Sequence, residues 1–226
     1  MRKYFCVILL LVAISGLVSC GNNTQKANSI GTLEIGNTLF LGGYEWRVLS
    51  IYDNNTALVI SERIINNLPF HFTFSPDVTW ENSDIRWYLN EDFLEIFSCD
   101  ERDIILPKSV STPDNAWYGV RGGADSNDYV FLPSIEEIVR YFGDSDQWYH
   151  PDMPENGVRQ WLLSDEFDNA RIAVDLCGNP TPWWLRSPGF DLDFTAIVRD
   201  DGSIRVDGES NNNIAGVRPL LLLKLD

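Results

Sequence analysis

The chain has 226 residues, enough for one domain with a sizeable core, and a formal charge of −16 from 33 acids against 17 bases. That balance repels nucleic acid phosphates and anionic lipid, which excludes a DNA- or RNA-binding role. The acids are scattered, with no run of five or six like charges, so the acidity reads as solubility rather than as an interaction tail.

The first residues, MRKYFCVILLLVAISGLVSCGNN, set Arg2 and Lys3 before an apolar run from Tyr4 to Val18. This is the layout of a secretory signal, and it is too short for a good membrane-spanning helix. Leu17-Val18-Ser19-Cys20 reads as a bacterial lipobox. Its resemblance to lipoprotein signals implies that residues 1–19 are removed and that Cys20 becomes a lipidated N-terminus. Palmitate-type acyl chains would then hold the protein at a membrane of the bacterial cell envelope, on the outer face or in the periplasm. Loss of Arg2 and Lys3 takes the charge from −16 to −18. Residues 20–32 are polar and aperiodic and read as a flexible tether, which leaves 33–226 as a single globular domain.

Within that domain, TLFLGG opens as a short strand. Tyr44–Tyr52 and Thr56–Ser61 are rich in β-branched and aromatic residues, with DNN between them, a hairpin signal. In VTWENSDIRWYLNEDFLEIFS, Ile85, Tyr88 and Leu89, and then Phe93, Ile96 and Phe97, fall at helical spacing. Two short helices or one kinked helix fit, with Asn82 or Ser83 as the first cap and Asn90 ending one segment and capping the next. DYVFL reads as a strand feeding the clearest helix, LPSIEEIVRYFGD. There Ser134 and Glu137 make a capping box, Ile135, Ile138, Val139 and Phe142 make the apolar stripe, and Gly143 is the stop. The stretch from 157 to 178 holds one short helix and one strand. The loop GDSDQWYHPDMPENG is long, acidic and aromatic, as functional loops often are.

Near the C-terminus, FTAIVRDDGSIRVDG is a hairpin. A three-residue loop Asp200-Asp201-Gly202 places Ala196, Val198, Ile204 and Val206 on one face. It places Ile197, Arg199, Ser203 and Arg205 on the other. GVRPLLLLKL closes the chain as one continuous apolar strand suited to a buried position. The order predicts an α+β fold: a mainly antiparallel sheet, two or three short helices, long irregular loops, and strands from both ends of the domain paired together.

The words WRVLSI, ALVIS, TWENSDIRWYLN, DYVFLPSIEE, WWLRSPG, DGSIRVDG and GVRP occur here in order. They resemble a family of bacterial extracellular domains found in lipoproteins and cell-surface proteins, matched over Ile35 to Leu225. The last third is also distantly similar to C-type-lectin-like domains of the formylglycine-generating-enzyme type. That resemblance implies a small antiparallel sheet, two helices and irregular loops, and fold analogy does not assign a function.

Catalytic signals are sparse. The two histidines, His71 and His150, stand in different contexts, and no H-E-x-x-H, G-x-S-x-G, P-loop or dinucleotide fingerprint occurs. Cys99 and Cys177 survive maturation, lie in no CxxC pair, and lack the paired-cysteine motif of the copper oxidases of the formylglycine type. Export permits a disulfide between Cys99 and Cys177, with two separate buried thiols as the alternative. No cofactor is expected. The acidic turns Asp125–Asp128, Asp144–Asp146 and Asp191–Asp193 offer oxygen ligands for calcium, but none is a full calcium loop.

Arg86, Arg186 and Arg218 sit among apolar neighbours and need carboxylate or carbonyl partners, with Glu136 and Glu137 as candidates. In WWLR, strand alternation sends Trp183 and Leu185 one way and Trp184 and Arg186 the other. Trp183 is then core, and Trp184 with Arg186 lines a surface or groove suited to a sugar face or a peptide. Trp148 and Tyr149 in the acidic loop are the second candidate platform. The expectation is a non-catalytic binding domain for an extracellular glycan or protein. Alternatives are a hydrolase of cell-envelope glycan and a structural module of a surface assembly.

Overall fold

The computed structural model describes residues 33–150 and 160–225. The signal segment, Cys20, the tether through residue 32, and residues 151–159, which include the end of the acidic loop, lie outside the described residues.

The fold is α+β, mostly antiparallel sheet with a few short helices and loops. Two six-stranded sheets carry it. The first contains β1 (Thr38–Leu41), β2 (Tyr44–Tyr52), β3 (Thr56–Ser61), β5 (Ile105–Leu106), β8 (Val130–Phe131) and β14 (Leu220–Lys224), with β14 between β3 and the β5 and β8 segments. The second runs in the order β4 (Asn66–Pro69), β13 (Ile214–Val217), β10 (Trp183–Pro188), β11 (Phe194–Val198), β12 (Ile204–Ser210) and β9 (Leu162–Leu163). Within it only the β10–β13 pairing is parallel. A small ribbon pairs β6 (Lys108–Val110) with β7 (Ser126–Asp128). The helices are α1 (Asp84–Asn90), α2 (Cys99–Ile104), α3 (Ile135–Phe142) and α4 (Asp168–Arg171).

The N-terminal hairpin forms as its composition predicts, and the chain end does pair with it: Leu220–Lys224 lies antiparallel to Ile60–Thr56. The closing run is not one strand, however. Pro219 lacks an amide donor, and the chain passes at Arg218-Pro219 from β13 in one sheet to β14 in the other. Arg218 is buried at this crossover. Its Nε donates to the Ser61 carbonyl (3.1 Å), and its guanidinium lies over the rings of Trp183 (5.1 Å) and Phe142 (5.3 Å). Burial lowers its pKa to about 10. Repulsion from Arg47 adds to that and attraction to Glu62 opposes it.

The helices follow their caps. Ser83 accepts from the Arg86 amide at the start of α1, and Ser98 and Glu101 form a capping box on α2. Asn90 ends α1 but does not cap the next segment. Its side-chain amide instead donates to the Val130 carbonyl (2.8 Å) and accepts from the Tyr129 amide (2.8 Å), which fastens α1 to β8. Buried side chains of both sheets, α1 and α3 form one continuous hydrophobic cluster.

Two arginines, the half-buried Arg86 and the buried Arg171, are held by carboxylates. Arg86 pairs with the fully buried Asp128 (2.7 Å), which also accepts from the Trp80 indole (2.8 Å). Asp128, a candidate calcium ligand by sequence, is thus a structural counter-ion. Arg171 meets Asp165 (2.9 Å), Asp168 (3.1 Å) and the Gly143 carbonyl (2.8 Å).

Candidate functional site

The site starts with the capping box of α3. Ser134 Oγ accepts from the Glu137 amide (3.2 Å), and Glu137 Oε2 accepts from the Ser134 amide (3.0 Å). This holds the Glu137 carboxylate at the helix entry, where Arg186 Nη1 reaches it. Arg186 comes from β10. Its amide donates to the Pro133 carbonyl (2.9 Å), Nη1 to the Leu132 carbonyl (2.7 Å) and Nη2 to the Ser111 carbonyl (2.8 Å). The next residue, Ser187, accepts from the Ile135 amide (3.0 Å), one of the orphan donors of the helix start. The Arg-Ser pair of WWLRSPG therefore docks α3 onto the second sheet.

A groove of about 570 Å³ opens over this junction, with Arg186 and Glu137 in its lining, Ser109 and Ser111 on the β6 side, and Glu136 and Arg140 on the α3 side. Lys108 and Arg186 both lie against the buried Phe131 ring, at 5.2 and 6.0 Å. Asp144 and Tyr149 complete the lining elsewhere. Partial burial raises the Tyr149 phenol above its ordinary value. The charges of Glu136, Asp144 and Asp146 reinforce this, against Arg140. Tyr149 therefore keeps its proton and is a hydroxyl donor at neutral pH.

The four residues expected to bind ligand part company. Arg186 and Tyr149 come together in the groove. Trp184 does not line a surface: it is 0 % exposed, its indole donates to the Leu68 carbonyl (2.8 Å), and Phe70 packs edge-on at 5.8 Å. Alternation does send Trp183 and Trp184 to opposite faces, but both faces of β10 are covered. Arg186 is likewise buried, and meets the groove from its floor rather than as an open side chain. Trp148 is also core, stacked on Trp117 at 6.0 Å, and its carbonyl accepts from the Trp117 indole.

The expected disulfide is not formed. Cys99 at the first turn of α2 and Cys177 in the Asp175 turn are both free and exposed, so the buried-thiol alternative fails as well. Among the described residues no group of three His, Cys, Asp or Glu converges on a metal position. The acidic turns satisfy their own backbone, with Asp144 accepting from the Asp146 amide and Asp191 from the Leu192 amide. His71 lies beside Asp84 and His150 beside Asp146, and neither lines the groove.

Arg140 and Lys108 were not singled out from sequence, and Glu136 was expected as an arginine partner, a place that Glu137 takes at Arg186. Glu136 and Arg140 stand four apart on the polar side of a strongly amphipathic helix, a signal that was available. Lys108 carried none, because its place depends on contacts between distant segments.

No curated protein and no solved structure matches the chain. A family model described as a domain of unknown function, DUF6273, matches residues 54–225, which covers the second sheet, α3, the groove and the first sheet from β3 onward. The chain belongs to the DUF6273 family.

Proposed function

We propose that this protein is a lipoprotein of the bacterial cell envelope, anchored through Cys20, whose domain binds an extracellular glycan or protein without transforming it. The observation that carries the reading is the groove, which joins the Arg186–Glu137 pair to the exposed Tyr149. Its size lies in the range of small-ligand sites, and its hydroxyls, paired charges and one phenol suit hydrogen-bonded recognition. The lipobox residues Leu17 to Cys20 support the anchor. The order of sequence words supports kinship with lipoprotein and cell-surface domains and the more distant likeness to C-type-lectin-like folds. A membrane through its lipid and an extracellular ligand are the partners in this reading, and nucleic acid is not.

Two experiments test it. Metabolic labelling with a fatty-acid probe should mark the wild-type chain and not Cys20→Ala; label retained on the variant contradicts the anchor. The full chain in detergent, applied to glycan and peptide arrays, should give saturable signals that Tyr149→Ala weakens. A hydrolase is the second reading, favoured by Glu136 and Asp144 sharing the groove. Release of reducing ends from cell-envelope glycan, abolished in Glu136→Gln, would replace binding with catalysis.

A further inference from the structure

Trp161 lies beyond the groove, at the far edge of the second sheet. Its carbonyl is fixed by the Val206 amide (2.9 Å) and the Asp207 amide (3.4 Å), so its backbone position is set by β12. Its indole nevertheless stays 45 % exposed, unlike the buried tryptophans Trp46, Trp80, Trp148, Trp183 and Trp184. Trp161, Arg199, Arg205 and Asp207 together line a depression of about 360 Å³.

The hairpin register explains the company it keeps. Ile197 pairs with Arg205 and the Arg199 amide donates to the Ser203 carbonyl, which puts Arg199 and Arg205 on one face; beyond the register shift at Thr195, Asp207 and Glu209 remain half-buried and both reach Arg205. These charges are tied to one another. Arg205 Nε donates to Asp207 (3.0 Å), Arg205 Nη1 to Glu209, and Arg199 lies 3.3 Å from Asp201. The site thus offers an exposed, backbone-anchored aromatic face beside guanidinium donors and carboxylate acceptors whose positions are already held.

We propose that this depression is a second binding site, independent of the groove, and that it takes a neutral pyranose sugar. The apolar C–H face of such a ring lies on an indole, and its hydroxyls are both donors and acceptors, which an Arg–Asp array matches. The paired charges do not favour an anion: two arginines face Asp201, Asp207 and Glu209, so an acidic sugar meets no net positive field. Because the donors are pre-paired, little side-chain ordering is required on binding.

The test uses the full chain in detergent and neutral hexasaccharides of gluco, manno, galacto and xylo configuration, read by tryptophan fluorescence and calorimetry. At least one should bind saturably. Trp161→Ala should weaken it about tenfold or more, as loss of a central aromatic contact does. Arg205→Lys should weaken it about threefold, because an ammonium cannot reproduce the planar fork. Thermal melts of both variants check that they are folded. A ligand weakened by Trp161→Ala belongs to this depression and one weakened by Tyr149→Ala to the groove, which separates failure of this site from failure of the groove. Binding by none of the neutral sugars, tighter binding of hexuronates, or wild-type binding by folded Trp161→Ala would each overturn the proposal.

Discussion

Strand β10 and the β11–β12 hairpin lie side by side in one sheet, yet they treat tryptophan and arginine in opposite ways. In β10 every residue from Trp183 to Pro188 is buried. Its indoles spend their N–H groups on the Arg171 and Leu68 carbonyls, and Arg186 spends its guanidinium on Glu137 and two backbone carbonyls. In the hairpin, β12 alternates buried and half-buried along its length, and its outer face carries Arg205, Asp207 and Glu209 beside the exposed Trp161. Residue type alone does not make a binding platform. What decides is whether a second layer covers the strand's other face, and that layer is supplied by chain segments far away in sequence.

The sharpest way to break this contrast is to truncate the two indoles of β10. Trp183→Ala and Trp184→Ala should each cost on the order of 3–5 kcal/mol, because each leaves a cavity and an unpaired carbonyl. Denaturant melts of both variants measure it, and a near-neutral Trp184→Ala would return that residue to the surface. The hairpin is tested next through its turn. Gly202 has φ +87°, and a Cβ there would come within 1.8 Å of the Asp168 carbonyl oxygen. Gly202→Ala should therefore cost roughly 2 kcal/mol or more, seen as a lower melting temperature; an unchanged melt would mean that the loop register is wrong.

How well the sequence foretold these two regions follows from the same physics. The hairpin was legible because Ala196, Val198, Ile204 and Val206 fall on one face when the turn is set at Asp200-Asp201-Gly202, and Gly202 marks that turn. Helix α3 was legible because Ser134, Glu137 and the stripe Ile135, Ile138, Val139 and Phe142 agree with one another. WWLRSP was not, since alternation tells which residues face apart but not what lies beyond either face. The same gap hid the Trp117–Trp148 stack and the groove, whose lining spans Lys108 to Arg186. The terminal strand was misread because apolar continuity outweighed Pro219, the residue that moves the chain between sheets.

A smaller effect is expected in acid. Burial acts to raise the Asp165 carboxyl, but hydrogen bonds from Arg171, Ser145 and the Phe167 amide outweigh it, so its pKa lies below the ordinary 3.8. A carboxyl depressed in the folded state stabilises above its unfolded value and loses that contribution as pH falls through the folded one. The melting temperature should therefore fall below about pH 4, less steeply in Asp165→Asn; parallel pH profiles for the two proteins would contradict the role of Asp165. The smallest effect belongs to Trp161→Ala, which should change stability by less than about 1 kcal/mol, since an exposed indole leaves little cavity. A loss as large as that of Trp184→Ala would show that the two regions do not differ after all.

In the proposed reading, recognition occurs in the groove between α3 and β6, over Arg186, with Tyr149 at its mouth. The most direct measurement compares the array signals of the full wild-type chain with those of Tyr149→Ala and Glu136→Lys, both checked for an unchanged melting temperature. The groove predicts saturable wild-type binding to at least one glycan or peptide, reduced about tenfold or more by both substitutions. A wild-type chain that binds nothing, or two folded variants that bind every ligand as the wild type does, would contradict it.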